Sequence, residues 1–108
     1  MKMSQVLPLY INKVEKKGRT LAELHQVIEW LTGYDEVAIN ELVASGATFG
    51  EFIEGAEFHE NTHLIKGVIC GHRVEDIEDP FMQKVRYVDK LVDELARGKK
   101  MENILRSV

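Results

Sequence analysis

DPFMQKVRYVDKLVDELARG, residues 79–98, is the most legible helix in the chain. Asp79 is an N-cap residue, and Pro80 stands at the first helical position, where its missing N–H would have no partner in any case. Gly98 supplies the stop. Between them Phe81, Val85, Val88, Val92 and Leu95 recur at spacings of four, three, four and three, two heptads of an apolar seam that Tyr87 and Leu91 widen. Such a helix has one apolar face to bury, against the rest of the chain or against a twin in a symmetric dimer.

Working outward, the same punctuation repeats. Near the start Pro8 suits a first-turn position, Leu7, Tyr10, Ile11 and Val14 share one helical face, and Gly18 follows Lys16 and Lys17 as a stop. Thr20 and Glu23 form a capping box ahead of Leu24, Val27, Ile28 and Leu31, and Gly33 closes that helix. Asp35 caps a third helix over 36–45, with Ile39, Leu42 and Val43 inward and Gly46 at its end. Thr48 and Glu51 repeat the capping box before Phe49, Phe52, Ile53 and Ala56, a short fourth helix. A closing helix is expected around 101–107.

Segment 57–79 is the ambiguous one. Leu64, Ile65, Val68 and Ile69 recur at helical spacing, with Asn61 or Thr62 as cap and Gly71 as stop, so a helix is expected. A strand competes, because β-branched residues are frequent and Gly67 interrupts the run. The expected fold is all-α, an irregular or orthogonal bundle of five to six short helices in a single domain, 1–108.

Bulk properties agree with this. A chain of 108 residues, 44% hydrophobic and 30% charged, suffices for one modest core and not two. Nothing approaches the roughly 20 apolar residues of a membrane span, and Lys13, Glu15 and Lys16 end any signal-like run early. The single cysteine, Cys70, cannot form an internal disulfide, which points to a reducing compartment and a cytoplasmic protein. The net charge of −4 is uneven: residues 34–80 hold two bases and eleven acids, while five bases and three acids precede them and seven bases and four acids follow.

Four stretches together carry a resemblance: PLYINKVEKKGRT at the start, WLTGYDE at 30–36, GVICGHRVEDIEDPFMQKVRYVDKLVDEL at 67–95, and GKKMENILR at the end. They resemble the small bacterial proteins grouped as domain of unknown function number 2200, over nearly the whole chain. The resemblance implies a compact, stand-alone cytoplasmic protein. It brings no activity and no catalytic residue with it.

The sharpest chemical pattern is His59-Glu60-Asn61-Thr62-His63, an H-E-x-x-H. On an α-helix it sets two imidazoles one turn apart to share Zn²⁺, with the glutamate placed to activate water. Against it, Asn61 and Thr62 suit a cap better than a helix interior, and Lys66 stands where the metzincin pattern has glycine. Cys70 and His72 would complete a wider set with His59 and His63, ligands suited to zinc or another late transition metal; otherwise Cys70 is a small buried hydrophobe and the histidines face solvent. The acidic run VEDIED, residues 74–79, lacks the glycine and oxygen spacing of a calcium loop and reads as dipole complement to the following helix. Trp30 and Tyr34 flank Thr32-Gly33, as pocket wall or as anchors of a helix end. No P-loop, dinucleotide fingerprint or nucleophile–base spacing is present.

A non-enzymatic binding module that needs no cofactor is the leading expectation, with a homodimer formed through Phe81, Val85, Val88 and Val92. A metal-dependent hydrolase centred on His59, Glu60 and His63 is the second. The third is nucleic-acid binding by the basic ends, through Lys13, Lys16, Lys17, Arg19, Lys84, Arg86, Lys99 and Lys100, and it requires the two ends to form one surface.

Overall fold

The computed structural model describes residues 1–107. The chain runs through helices α1 (Met3–Glu15), α2 (Leu21–Thr32), α3 (Glu36–Ala44) and α4 (Phe49–Gly55). A 3₁₀ turn (Glu60–Leu64) follows, then a hairpin of β1 (Val68–Ile69) and β2 (His72–Arg73) and a second 3₁₀ turn (Val74–Asp76). Helices α5 (Pro80–Ala96) and α6 (Met101–Ile104) complete it. Among the described residues the fold is mostly helical, with one sheet of two residues in each strand.

The local signals act where their chemistry predicts. At α2 the Thr20 N–H donates to Glu23 Oε1 at 2.9 Å and the Glu23 N–H donates to Thr20 Oγ1 at 3.1 Å. At α4 the Thr48 and Glu51 pair does the same at 3.0 and 3.1 Å. Asp35 accepts the Ala38 N–H at 2.8 Å, and Asp79 accepts the Phe81 N–H at 3.0 Å, fixing the starts of α3 and α5.

Helix α5 is the spine of the bundle, packed on α1, α2, α4 and α6. Its Val88, Leu91, Val92 and Leu95 are fully buried beside Val14, Leu24, Leu31, Ile39, Phe52 and Ile104. The seam read in the sequence therefore divides. Its C-terminal part, with Val88 and Val92, is core of this chain, while Val85 is half-buried and Phe81 stays 38% exposed. A dimer formed through Val88 and Val92 is ruled out by that burial; only Phe81 and Val85 remain available.

Three boundaries differ from expectation. Helix α1 starts at Met3, five residues before Pro8, because the chain entering it is tied down: the Met3 N–H donates to Ala47 O at 2.9 Å and the Phe49 N–H donates to Met1 O at 2.7 Å. Met3, Val6 and Leu7 are buried, so the extra turn has a core face. Pro8 sits inside the helix at an exposed position, where the Ser4 carbonyl it leaves unpaired can be hydrated. The helix expected after Asn61 is instead a 3₁₀ turn and the β1–β2 hairpin, joined by Cys70 (φ 53°) and Gly71 (φ 81°). Two successive positive φ values make a primed turn, which suits a hairpin and would break a helix. Helix α6 ends at Ile104, short of the expected 107.

Candidate functional site

The residues singled out in the sequence fall in three separate places. Trp30, near the end of α2, stacks face to face on His59, with ring centroids 4.4 Å apart and planes 20° apart. Tyr34 stacks on Phe52 at 5.1 Å and donates its hydroxyl hydrogen to the Phe52 carbonyl at 3.2 Å, anchoring the α2–α3 corner to α4. Both aromatics act as anchors in this arrangement. Cys70 and His72 lie at the hairpin, and neither aromatic pair includes them.

The H-E-x-x-H segment is not on an α-helix. In the tighter 3₁₀ turn, residues four apart are rotated about 120° from one another, so His59 and His63 share no face. His59 Nδ1 accepts the Asn61 N–H at 3.0 Å, which caps the turn, and His63 Nδ1 is 2.8 Å from the Glu60 carbonyl. Among the described residues, no three His, Cys, Asp or Glu side chains are placed to hold one metal ion. Asn61 ties the turn to the C-terminal segment, its side-chain amide donating to Arg106 O at 3.1 Å.

The basic ends do meet, since α1 packs on α5, but many of their charges are matched. Lys13 and Arg97 both reach Asp93, at 3.3 and 2.8 Å. Arg19 pairs with Glu23 at 2.9 Å and donates to the Lys99 carbonyl at 2.8 Å. Lys90, Lys99 and Arg106 surround Glu94, whose carboxylate is almost wholly buried.

Among the depressions on the surface, one of about 550 Å³ is lined by Lys13, Lys17, Asp93, Ala96 and Arg97 where the basic ends meet. Two others involve α5 nearer its start. The first, of about 440 Å³, lies between α1, α4 and α5 and is lined by Leu9, Tyr10, Phe49, Phe81, Val85 and Asp89, with Met1 at its rim. Met1 is 72% exposed, Leu9 58% and Phe81 38%, so three large apolar side chains stand in water around one groove. Its polar edge is fully engaged: Tyr10 donates to Asp89 Oδ1 at 3.0 Å, and Arg86 donates to Asp89 Oδ2 at 2.9 Å. Burial pushes the Tyr10 hydroxyl far above the ordinary phenol range, and the adjacent Asp89 charge and hydrogen bond push it further, against a smaller opposing pull from Arg86. The phenol is therefore a fixed donor, and the groove carries no uncompensated charge.

Of this groove only Phe81 and Val85 were singled out in the sequence. Leu9 carried a signal, since it is apolar yet lies off the stripe of Leu7, Tyr10, Ile11 and Val14. The Tyr10–Asp89 pair joins residues 79 positions apart and has no local signature.

The second depression, about 580 Å³, lies between the hairpin and the start of α5 and includes His72, Arg73, Asp76, Asp79, Met82 and Arg86. It shares no lining residue with the first. Cys70 is exposed at its edge, with Arg86 Nη1 3.6 Å from Sγ.

A model of a bacterial family, described as an uncharacterised protein conserved in bacteria (DUF2200), matches residues 1–106. Among solved structures, the crystal structure of uncharacterised protein SP1917 is 42% identical, with a TM-score of 0.91, covering 97% of this chain and 87% of that one. No curated protein matches the chain. No helix among the described residues is long and apolar enough to cross a membrane.

Proposed function

This chain belongs to the DUF2200 family of bacterial proteins, and we propose that it is a non-enzymatic interaction module whose binding face is the apolar groove between α1, α4 and α5. The observation that carries this reading is the clustering of Met1, Leu9 and Phe81, all exposed, around a single depression. Scattered apolar residues on a surface need no explanation, whereas several large ones around one concavity favour a partner that removes them from water.

The occupant is a second copy of the chain. The same patch offers both projecting side chains, Leu9 and Phe81, and a hollow of about 440 Å³ with room to receive them from a partner, which is what a self-complementary two-fold contact requires. Each copy carries a net −4, but Asp89, the one charged side chain that lines the groove, is paired with Arg86 at 2.9 Å, so close approach here brings no unpaired like charges together. Molar mass by light scattering across a wide concentration range tests the proposal. A rise from monomer toward dimer mass is expected, and a concentration-independent monomer mass would refute it.

A further inference from the structure

We infer that the cleft between the hairpin and the start of α5 is a site for a small zwitterion of about dipeptide length, with the ligand's carboxylate at Arg86 and Arg73 and its ammonium group at Asp79 and Asp76. The cleft is open to solvent, and its volume of about 580 Å³ lies within the range of small-molecule sites.

The charges in this cleft are ordered, not mixed. Asp79, Met82 and Arg86 all line it, and their spacings of three and four place them in one row along α5. The row runs acid, apolar, base, with the charged ends about 10 Å apart along the helix axis at its ordinary rise per residue. The segment 70–79 runs alongside α5 in the opposite sense: Cys70 meets Arg86 at 3.6 Å and Gln83 donates to Val74 O at 3.2 Å. Arg73 and His72, from β2, therefore fall toward the basic end, and Asp76, from the 3₁₀ turn that follows, toward Asp79. A ligand complementary to this row has one group of each sign and an apolar body between them.

Both cations have capacity to spare. Arg86 uses Nη1 for Asp89 and for Cys70 Sγ, leaving Nε and Nη2 without a protein partner among the described residues. Arg86 is thereby held in place while part of its donor fork stays open to a carboxylate. The contact of Arg73 with Glu75 is 4.0 Å, at the outer limit of an ion pair, and its side chain is 63% exposed. Glu75 is instead committed to the Gly67 N–H at 3.1 Å, which holds its carboxyl below the usual range. At the acidic end Asp79 spends Oδ1 on its cap bond, and Asp76 is exposed. Since both ends are wet, affinity in the millimolar range is expected, weakening as salt rises.

The test is titration of the whole chain with L-alanyl-L-leucine to about 50 mM, followed by backbone amide chemical shifts. Saturable shifts centred on residues 71–79, 82 and 86 are expected. The N-acetylated and the C-amidated dipeptides should each bind at least about tenfold more weakly. Arg73→Gln and Asp76→Asn alter exposed side chains and should leave the fold intact while each weakens binding. Absence of saturable shifts, equal response to the capped peptides, or unchanged binding in both variants would each overturn the assignment.

Discussion

Glu94 and Arg106 meet end to end, both carboxylate oxygens receiving guanidinium hydrogens, with Nη2–Oε2 at 2.8 Å. Because Arg106 also donates to the carbonyls of Asn103 and Ile104, at 3.2 and 2.7 Å, this one pair fastens the end of the chain to α5. Lys90 and Lys99 stand 3.6 and 3.5 Å from the same carboxylate. Replacing Glu94 by Ala leaves three cations around a buried vacancy, and the expected loss is about 3–5 kcal/mol, measured by urea unfolding. Lys99→Ala, at the exposed edge, should cost about 1 kcal/mol or less.

His59→Ala removes both the stack on Trp30 and the cap of the 3₁₀ turn, and should cost about 1–2 kcal/mol. His59→Phe keeps a ring against the indole and loses only the acceptor, so its loss should be smaller. Trp30 is the sole tryptophan, and its emission spectrum should change in the Ala variant more than in the Phe variant.

Tyr10 makes stability fall in alkali. A phenol ionises near pH 10 in an unfolded chain, whereas burial and then the Asp89 charge hold Tyr10 protonated in the fold at higher pH. The contribution of its hydroxyl is thus complete below about pH 10 and declines as pH climbs beyond it, because only the unfolded state releases the proton. Tyr10→Phe should lose about 1–3 kcal/mol at neutral pH, the worth of a hydrogen bond to a charged group, and should show a shallower alkaline decline in urea midpoints. Tyr34 and Tyr87 are also pushed up by burial, so absorbance near 295 nm should lag the ordinary phenol titration until the fold opens.

A β-carbon at Gly55 would stand 2.6 Å from the Tyr34 hydroxyl oxygen. Gly55→Ala should therefore destabilise by about 1–3 kcal/mol despite the better helix propensity of alanine. In a Tyr34→Phe background the clash is gone, and the same substitution should become neutral or stabilising, as read from unfolding midpoints of the four proteins in the cycle.

Most helix starts were legible because they are chemically local: Thr20 with Glu23, Thr48 with Glu51, and Asp79 ahead of Pro80 each act within a few residues. The start of α1 was not, since it depends on Met1 and Met3 bonding to Phe49 and Ala47 across the fold. Segment 57–79 misled for a different reason. Strands of two residues are too short to show an alternation, and the spacing of Leu64, Ile65, Val68 and Ile69 fits a helix equally well. The deciding residues were Cys70 and Gly71, whose positive φ values turn the chain back, and cysteine carries no strong turn signal. The H-E-x-x-H reading depended on that helix. In the apolar groove, Phe81 and Val85 could be found from spacing, but not which end of the α5 seam would be left uncovered.

The meeting of two copies through the groove between α1, α4 and α5 is tested most directly by sedimentation equilibrium of three charge-insertion variants. Leu9→Glu and Phe81→Glu place a carboxylate on the exposed rim, while Val37→Glu does the same on α3, at a position 65% exposed and outside the groove. A dimer is expected for the parent chain and for Val37→Glu, and at least about a tenfold weaker association for each of the two groove variants. A parent chain that stays monomeric, or a dimer that Leu9→Glu and Phe81→Glu leave as tight as Val37→Glu does, would contradict it.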